Sequence, residues 1–74
     1  MKEKNYKGFT IIILKDTEIE GGNEYKIYSK KLKFLTSYPS YCYVKEFINL
    51  LIKRFGKKED YNDNEILEII NITG

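Results

Sequence analysis

The chain has 74 residues, 13 Lys and Arg against 11 Asp and Glu for a net charge of +2, with 42% hydrophobic and 32% charged residues. That length suits one small domain with a modest core, and that balance excludes both a disordered chain and a strongly basic or acidic one. With no His and a single Cys, the common acid–base, Cys–His and zinc arrangements are missing, so a non-enzymatic protein without metal or cofactor is expected.

In chain order, residues 1–7 are polar and read as a frayed start, with Tyr6 as their one anchor. Residues 9–14 (Phe-Thr-Ile-Ile-Ile-Leu) are β-branched and predict a strand, with Phe9, Ile11 and Ile13 on one face and Thr10, Ile12 and Leu14 on the other. Residues 16–20 extend it toward a turn at Gly21-Gly22-Asn23, where positive φ is cheap. Residues 24–29 alternate, with Tyr25 and Ile27 opposed to Lys26 and Tyr28. Ser29-Lys30-Lys31 reads as a second turn. Residues 32–36 then predict a third strand, with Leu32 and Phe34 facing the core and Lys33 and Leu35 facing away.

Pro39 ends the sheet, because it lacks a donor and disfavours helix at Tyr38. Ser40 can cap a helix running to Phe55, and Gly56 can stop it. Tyr41, Val44, Phe47, Ile48, Leu51 and Phe55 recur at helical spacing and form its core stripe, with Tyr43 and Leu50 as a second flank that needs cover. After an exposed connector at residues 57–60, Asn62 and Glu65 form a capping-box pattern that opens a short last helix, its buried side supplied by Ile66, Leu67, Ile69 and Ile70. A strand over residues 69–72 fits the same residues. The expected architecture is one α+β domain over residues 1–74: a three-stranded antiparallel meander covered on one face by a main helix and a short C-terminal helix, βββαα.

No stretch approaches the roughly 18 apolar residues of a membrane span, and no signal-peptide core follows Met1, so a cytoplasmic protein is expected. Forty of the 74 residues are Ile, Lys, Asn, Tyr or Phe, all with AT-rich codons, the usage of an AT-rich bacterium or its phage. Gly21-Gly22 joins strands and is no phosphate loop. Asp60, Asp63 and Glu65 lack the central Gly and terminal Glu of a calcium loop. Cys42, without a His or strong cationic neighbour, reads as an incidental thiol.

Charge is segregated along the chain. Residues 1–58 hold all 13 bases and six acids, while residues 59–74 hold five acids and no base. Glu59, Asp60, Asp63, Glu65 and Glu68 therefore make a candidate acidic partner surface, unless they simply complement the basic body. Ile12, Leu14, Tyr28 and Leu35 make a second candidate, an apolar-aromatic patch on the uncovered sheet face. The alternative is a nucleic-acid-binding module. It would use Lys26, Tyr28 and Lys33 on that face, with the clusters Lys30-Lys31-Lys33 and Lys53-Arg54-Lys57-Lys58. A structural homodimer through the open face is the third reading.

Two resemblances bear on function. Tyr6-Lys7-Gly8-Phe9, a Tyr-containing strand and Ser40-x-x-x-Val44-Lys45-Glu46-Phe47-Ile48 resemble a layout of small phage and mobile-element βββα proteins, over residues 6–55. Asn23-Glu24-Tyr25, Lys45-Glu46-Phe47-Ile48, an acidic connector and a short last helix resemble, over residues 23–73, a small type II-A anti-CRISPR protein of αβββαα fold. That resemblance implies stoichiometric inhibition of a guide-RNA-loaded CRISPR nuclease, with Glu59, Asp60, Asp63, Glu65 and Glu68 occupying the site that reads target DNA. This chain departs from the inhibitor in lacking its N-terminal helix and in carrying net positive charge. The leading expectation is a phage-type inhibitor that binds a host defence complex.

Overall fold

The structure, a computed structural model, describes residues 2–16 and 22–73. Its elements are β1 (Lys2–Tyr6), β2 (Phe9–Asp16), β3 (Gly22–Tyr28), β4 (Phe34–Tyr38), α1 (Tyr41–Phe55) and α2 (Asp63–Thr73). The strands form one antiparallel sheet in chain order, β1-β2-β3-β4. The α+β class is as expected. The sheet has four strands, not three.

The added strand is the segment expected to fray. Tyr6 pairs with Phe9 across a two-residue turn in which Lys7 (φ 52°) and Gly8 (φ 92°) are both left-handed. Such a turn matches the twist of a tight hairpin, and Gly8 adopts its φ without a Cβ penalty. Asn5 Oδ1 accepts the Gly8 N–H at 3.2 Å. The Tyr6 hydroxyl and Lys7 Nζ both donate to Asn49 Oδ1 on α1, at 3.2 and 2.6 Å. The hairpin is thus tied to the helix as well as to the sheet. Of the turn expected at residues 21–23, Gly21 lies outside the described residues, as do 17–20, while Gly22 and Asn23 open β3.

One face of the sheet is covered by α1. Phe9 and Ile11 of β2 and Ile27 of β3 meet Val44, Phe47, Ile48 and Leu51 in a core closed by Ile66 and Ile69 of α2. Parity on β2 and β3 is as expected. On β4 it is reversed. Ile27 pairs with Thr36, but Tyr28 pairs with Phe34, so Leu35 is the extra residue of a β-bulge. A one-residue shift turns side chains to the opposite face. Leu35, expected on the open face, is 8% exposed in the core, whereas Leu32 (67%) and Phe34 (50%), expected inside, are the exposed pair. Lys33 also leaves the open face, its ammonium reaching the Tyr61 carbonyl at 3.2 Å.

Helix α1 ends as its sequence dictates. Ser40 Oγ accepts the Cys42 N–H at 3.3 Å, and Gly56 at φ 81° donates its N–H to the Ile52 carbonyl at 2.8 Å. Residues 69–72 are helical rather than strand. The reciprocal cap of α2 is present: Asn62 Oδ1 accepts the Glu65 N–H at 2.9 Å and Glu65 Oε1 accepts the Asn62 N–H at 3.0 Å. The buried stripe of α2 is Ile66 and Ile69, with Ile70 partly buried beside them; Leu67, one step round the helix from Ile66, is 54% exposed. Leu50 packs against the core as its flank position requires. Tyr43 stays 46% exposed and is covered in part by Tyr38 of β4, stacked at 6.1 Å. The Tyr38 hydroxyl reaches Thr73 Oγ1 at 2.9 Å, and burial raises its pKa against the smaller lowering effect of that hydrogen bond.

Candidate functional site

The uncovered sheet face is built by strand parity. Cross-strand neighbours share a face, so Glu3 and Asn5 of β1, Thr10, Ile12 and Leu14 of β2, Glu24, Lys26 and Tyr28 of β3, and Phe34 and Ser37 of β4 lie together. Tyr28 and Phe34 meet edge-on with centroids 5.6 Å apart. Glu3, Thr10, Ile12, Tyr28 and Leu32 line a shallow depression of about 230 Å³. The apolar centre is Ile12, Leu14, Tyr28, Phe34 and Leu32, and its polar rim is Glu3, Glu24, Lys26 and Ser37. Three of the four residues expected in this patch are in it; Leu35 is replaced by Phe34 and Leu32.

Leu32 owes its place to a hydrogen-bonded loop. Ser29 is fully buried, donates its N–H to the Lys33 carbonyl at 2.9 Å, and accepts the Leu32 N–H at its carbonyl at 2.8 Å. Its Oγ accepts the Lys33 N–H at 3.2 Å. This network holds Leu32 at φ 64°, a left-handed conformation that costs a non-glycine residue about 1–2 kcal/mol. A leucine is thereby fixed in an unfavourable backbone conformation with its side chain in water.

The acidic segment does not stand free. Glu59 pairs with Lys31 at 3.8 Å and Asp63 with Lys33 at 3.6 Å. Glu68 receives two bonds from Arg54, at 2.8 and 3.1 Å, joining α2 to α1. Glu65 pairs with Lys58, and Asp60 Oδ1 accepts the Tyr61 N–H at 2.8 Å. Every one of the five acids is engaged within the chain. Exposed pairs of this kind are screened and weak one by one, but they set where charge remains.

Among the four bases so used are half of those named for nucleic-acid binding. Lys26 lies on the uncovered face and Lys53 with Arg54 in the last turn of α1. Lys30, Lys57 and Lys58 line a cavity of about 230 Å³ with Lys7, Gly8, Phe9, Glu59 and Tyr61. Of the eight bases, the other five are not in that lining. Tyr61, which sequence reasoning passed over, is the floor of that cavity. It is 2% exposed, stacks on Phe9 at 5.8 Å, donates its hydroxyl to the Gly56 carbonyl at 2.7 Å and accepts the Lys58 N–H at 3.2 Å.

The Glu65 carboxyl is held below its usual range, first by the hydrogen bond from Lys58 and then by the Asn62 N–H. A depressed folded-state pKa contributes stability above the unfolded value of about 4.3 and loses it as pH falls through the folded value. Urea midpoints measured from pH 7 down to pH 3 should therefore fall, and the Glu65→Gln variant should start lower and converge on the wild type in acid. Parallel curves with a constant gap would show that this carboxylate is not the titrating group.

Among the described residues no group of three or more Cys, Asp or Glu side chains is placed to hold a metal ion, and Cys42 is exposed and free. No described helix is long and apolar enough to cross a membrane. No family model, curated protein or solved structure matches the chain.

Proposed function

We propose that the chain is a protein-binding domain that docks its partner on the uncovered sheet face and acts as a stoichiometric inhibitor of a host defence complex, a CRISPR effector in a bacterial cytoplasm. The observation that carries the binding reading is Leu32, left-handed at φ 64° and 67% exposed beside Phe34, Tyr28 and Ile12. Local strain that projects an apolar side chain into water stabilises nothing in the isolated domain, and such strain concentrates at recognition sites. An apolar centre with a charged rim also has the composition of a protein interface. The choice of a CRISPR effector rests on the sequence resemblance. Because Glu59, Asp60, Asp63, Glu65 and Glu68 are engaged within the chain, this reading assigns recognition to the sheet face and leaves those acids a supporting part.

The test is a DNA-cleavage assay with a guide-loaded CRISPR nuclease and the full chain at equal concentration. Inhibition is expected, with loss of about tenfold or more in potency for Leu32→Asp and Phe34→Asp, which leave the core intact. Unchanged cleavage at tenfold excess of the chain rules out this effector. Sedimentation of the same proteins separates the homodimer: a wild-type dimer that either variant dissolves would assign the face to a second copy.

A further inference from the structure

The charge left over after ion pairing is not evenly spread. On the helix-side face, the sheet extends past the first turn of α1, and register places Lys2, Ile13 and Tyr25 in one cross-strand row with Lys15 and Asn23 in the next. Lys4 pairs with Ile11 one row nearer the core. Lys2, Lys4, Ile13, Lys15, Asn23 and Tyr25 line an open groove of about 480 Å³. The start of α1 adjoins it through Tyr25 and Lys4. Tyr41 packs 5.8 Å from Tyr25 and 6.5 Å from Tyr6, with Lys4 Nζ 5.0 Å and Lys45 Nζ 5.6 Å from its ring centre. None of the ion pairs among the described side chains involves Lys2, Lys4, Lys15 or Lys45. Glu3, the nearest acid along β1, points to the opposite face.

We infer that this groove and the adjoining start of α1 bind single-stranded nucleic acid, Lys2, Lys4 and Lys15 of the groove and Lys45 of α1 meeting phosphates and the Tyr25–Tyr41 pair stacking a base. Four ammonium groups are too many for one small anion and suit a repeating one. Aromatic rings placed between them favour a nucleic acid, each of whose units carries a base that stacks, over a run of acidic side chains, whose carboxylates do not. An unwound strand is favoured because its bases are free to reach the rings, and the N-terminus of α1 beside them adds a favourable dipole for phosphate. The site is distinct from the uncovered face and uses none of the eight bases singled out in the sequence. Lys2 and Lys4 lie in the segment expected to fray, and Lys15 and Lys45 are far from both in the chain.

The test is fluorescence anisotropy of a labelled twelve-residue oligothymidine with the full chain at 50 mM salt and above. Saturable binding is expected, weakening with salt by about 0.7 log unit per log unit for each phosphate contact, so roughly three for four lysines. Replacing Lys2, Lys4, Lys15 and Lys45 together by Gln should weaken binding at least about tenfold and remove most of that slope. Tyr41→Leu, which keeps an apolar side chain of similar reach, should weaken it about fivefold or more at unchanged slope. Circular dichroism of each variant checks the fold. Absence of saturable binding by the wild type overturns the inference. So does an equal loss when Lys26, Lys30, Lys53 and Lys57 are replaced instead, or competition by polyglutamate as effective as by unlabelled oligonucleotide.

Discussion

Replacing Tyr61 by alanine is expected to cost about 3–5 kcal/mol, out of roughly 4–11 kcal/mol that a chain of this size carries. The residue does three things at once. Its ring fills the gap between β2 and the inter-helix connection, stacked on Phe9. Its hydroxyl accepts the N–H of Lys58 and donates to the carbonyl of Gly56, the residue that ends α1. Its burial pins the connection from which α2 departs. Alanine leaves a cavity and two unpaired backbone groups; phenylalanine leaves only the groups, for about 1–3 kcal/mol. Urea unfolding followed by far-UV circular dichroism distinguishes them, with alanine well below phenylalanine and both below wild type. An alanine variant within about 1 kcal/mol of wild type would mean that the connection is held by its ion pairs.

The second large effect is a contrast between neighbours. Leu35→Asp is expected to unfold the domain or cost more than about 4 kcal/mol, because it removes a core side chain and puts a carboxylate in its place. Phe34→Asp, one residue earlier, should change stability by less than about 1 kcal/mol, since half of that ring is already in water. The pair tests the bulge itself. Regular alternation from Leu32 would give the reverse order, with Phe34 sensitive and Leu35 tolerant. Thermal melting of both variants is enough to decide.

Those contrasts mark where the sequence was legible. Helix α1 was readable from end to end because its stripe, its serine cap and its terminal glycine agree. Helix α2 followed from one reciprocal cap, Asn62 with Glu65. Strand β1 was not readable. Its alternation is Lys2, Lys4, Tyr6 against Glu3, Asn5, which carries almost no hydrophobic period, and its turn uses Lys-Gly where Asn-Gly would have signalled a hairpin. An edge strand of this composition resists pairing with other chains, so its polarity is a property of its position. The β4 parity failed because the run Leu32, Phe34, Leu35 fits either register, and only the strained turn at Leu32 and the bulge decide.

The candidate surfaces were half legible for a related reason. Ile12, Leu14 and Tyr28 lie on regular strands, where period two places them. The acidic residues were identifiable as a cluster, yet nothing in their spacing gives the bases that pair with four of them, at residues 31, 33, 54 and 58. The lysines that remain beside Tyr25 and Tyr41 are brought together by strand register and by the start of α1. A linear scan for basic runs passes them by.

The order of strands in the sheet has a consequence for how the domain forms. Each strand lies beside its neighbour in sequence, so every pairing closes only a short loop, and closing a short loop has a small entropic cost. Among the described residues, the hydrogen bonds that span the greatest length of chain are those from Tyr6 and Lys7 to Asn49, separated by 43 and 42 residues. Assembly of the sheet is therefore local, and the entropically expensive step is the docking of the helices across it. The bonds from the β1–β2 turn to Asn49 can form only in that step.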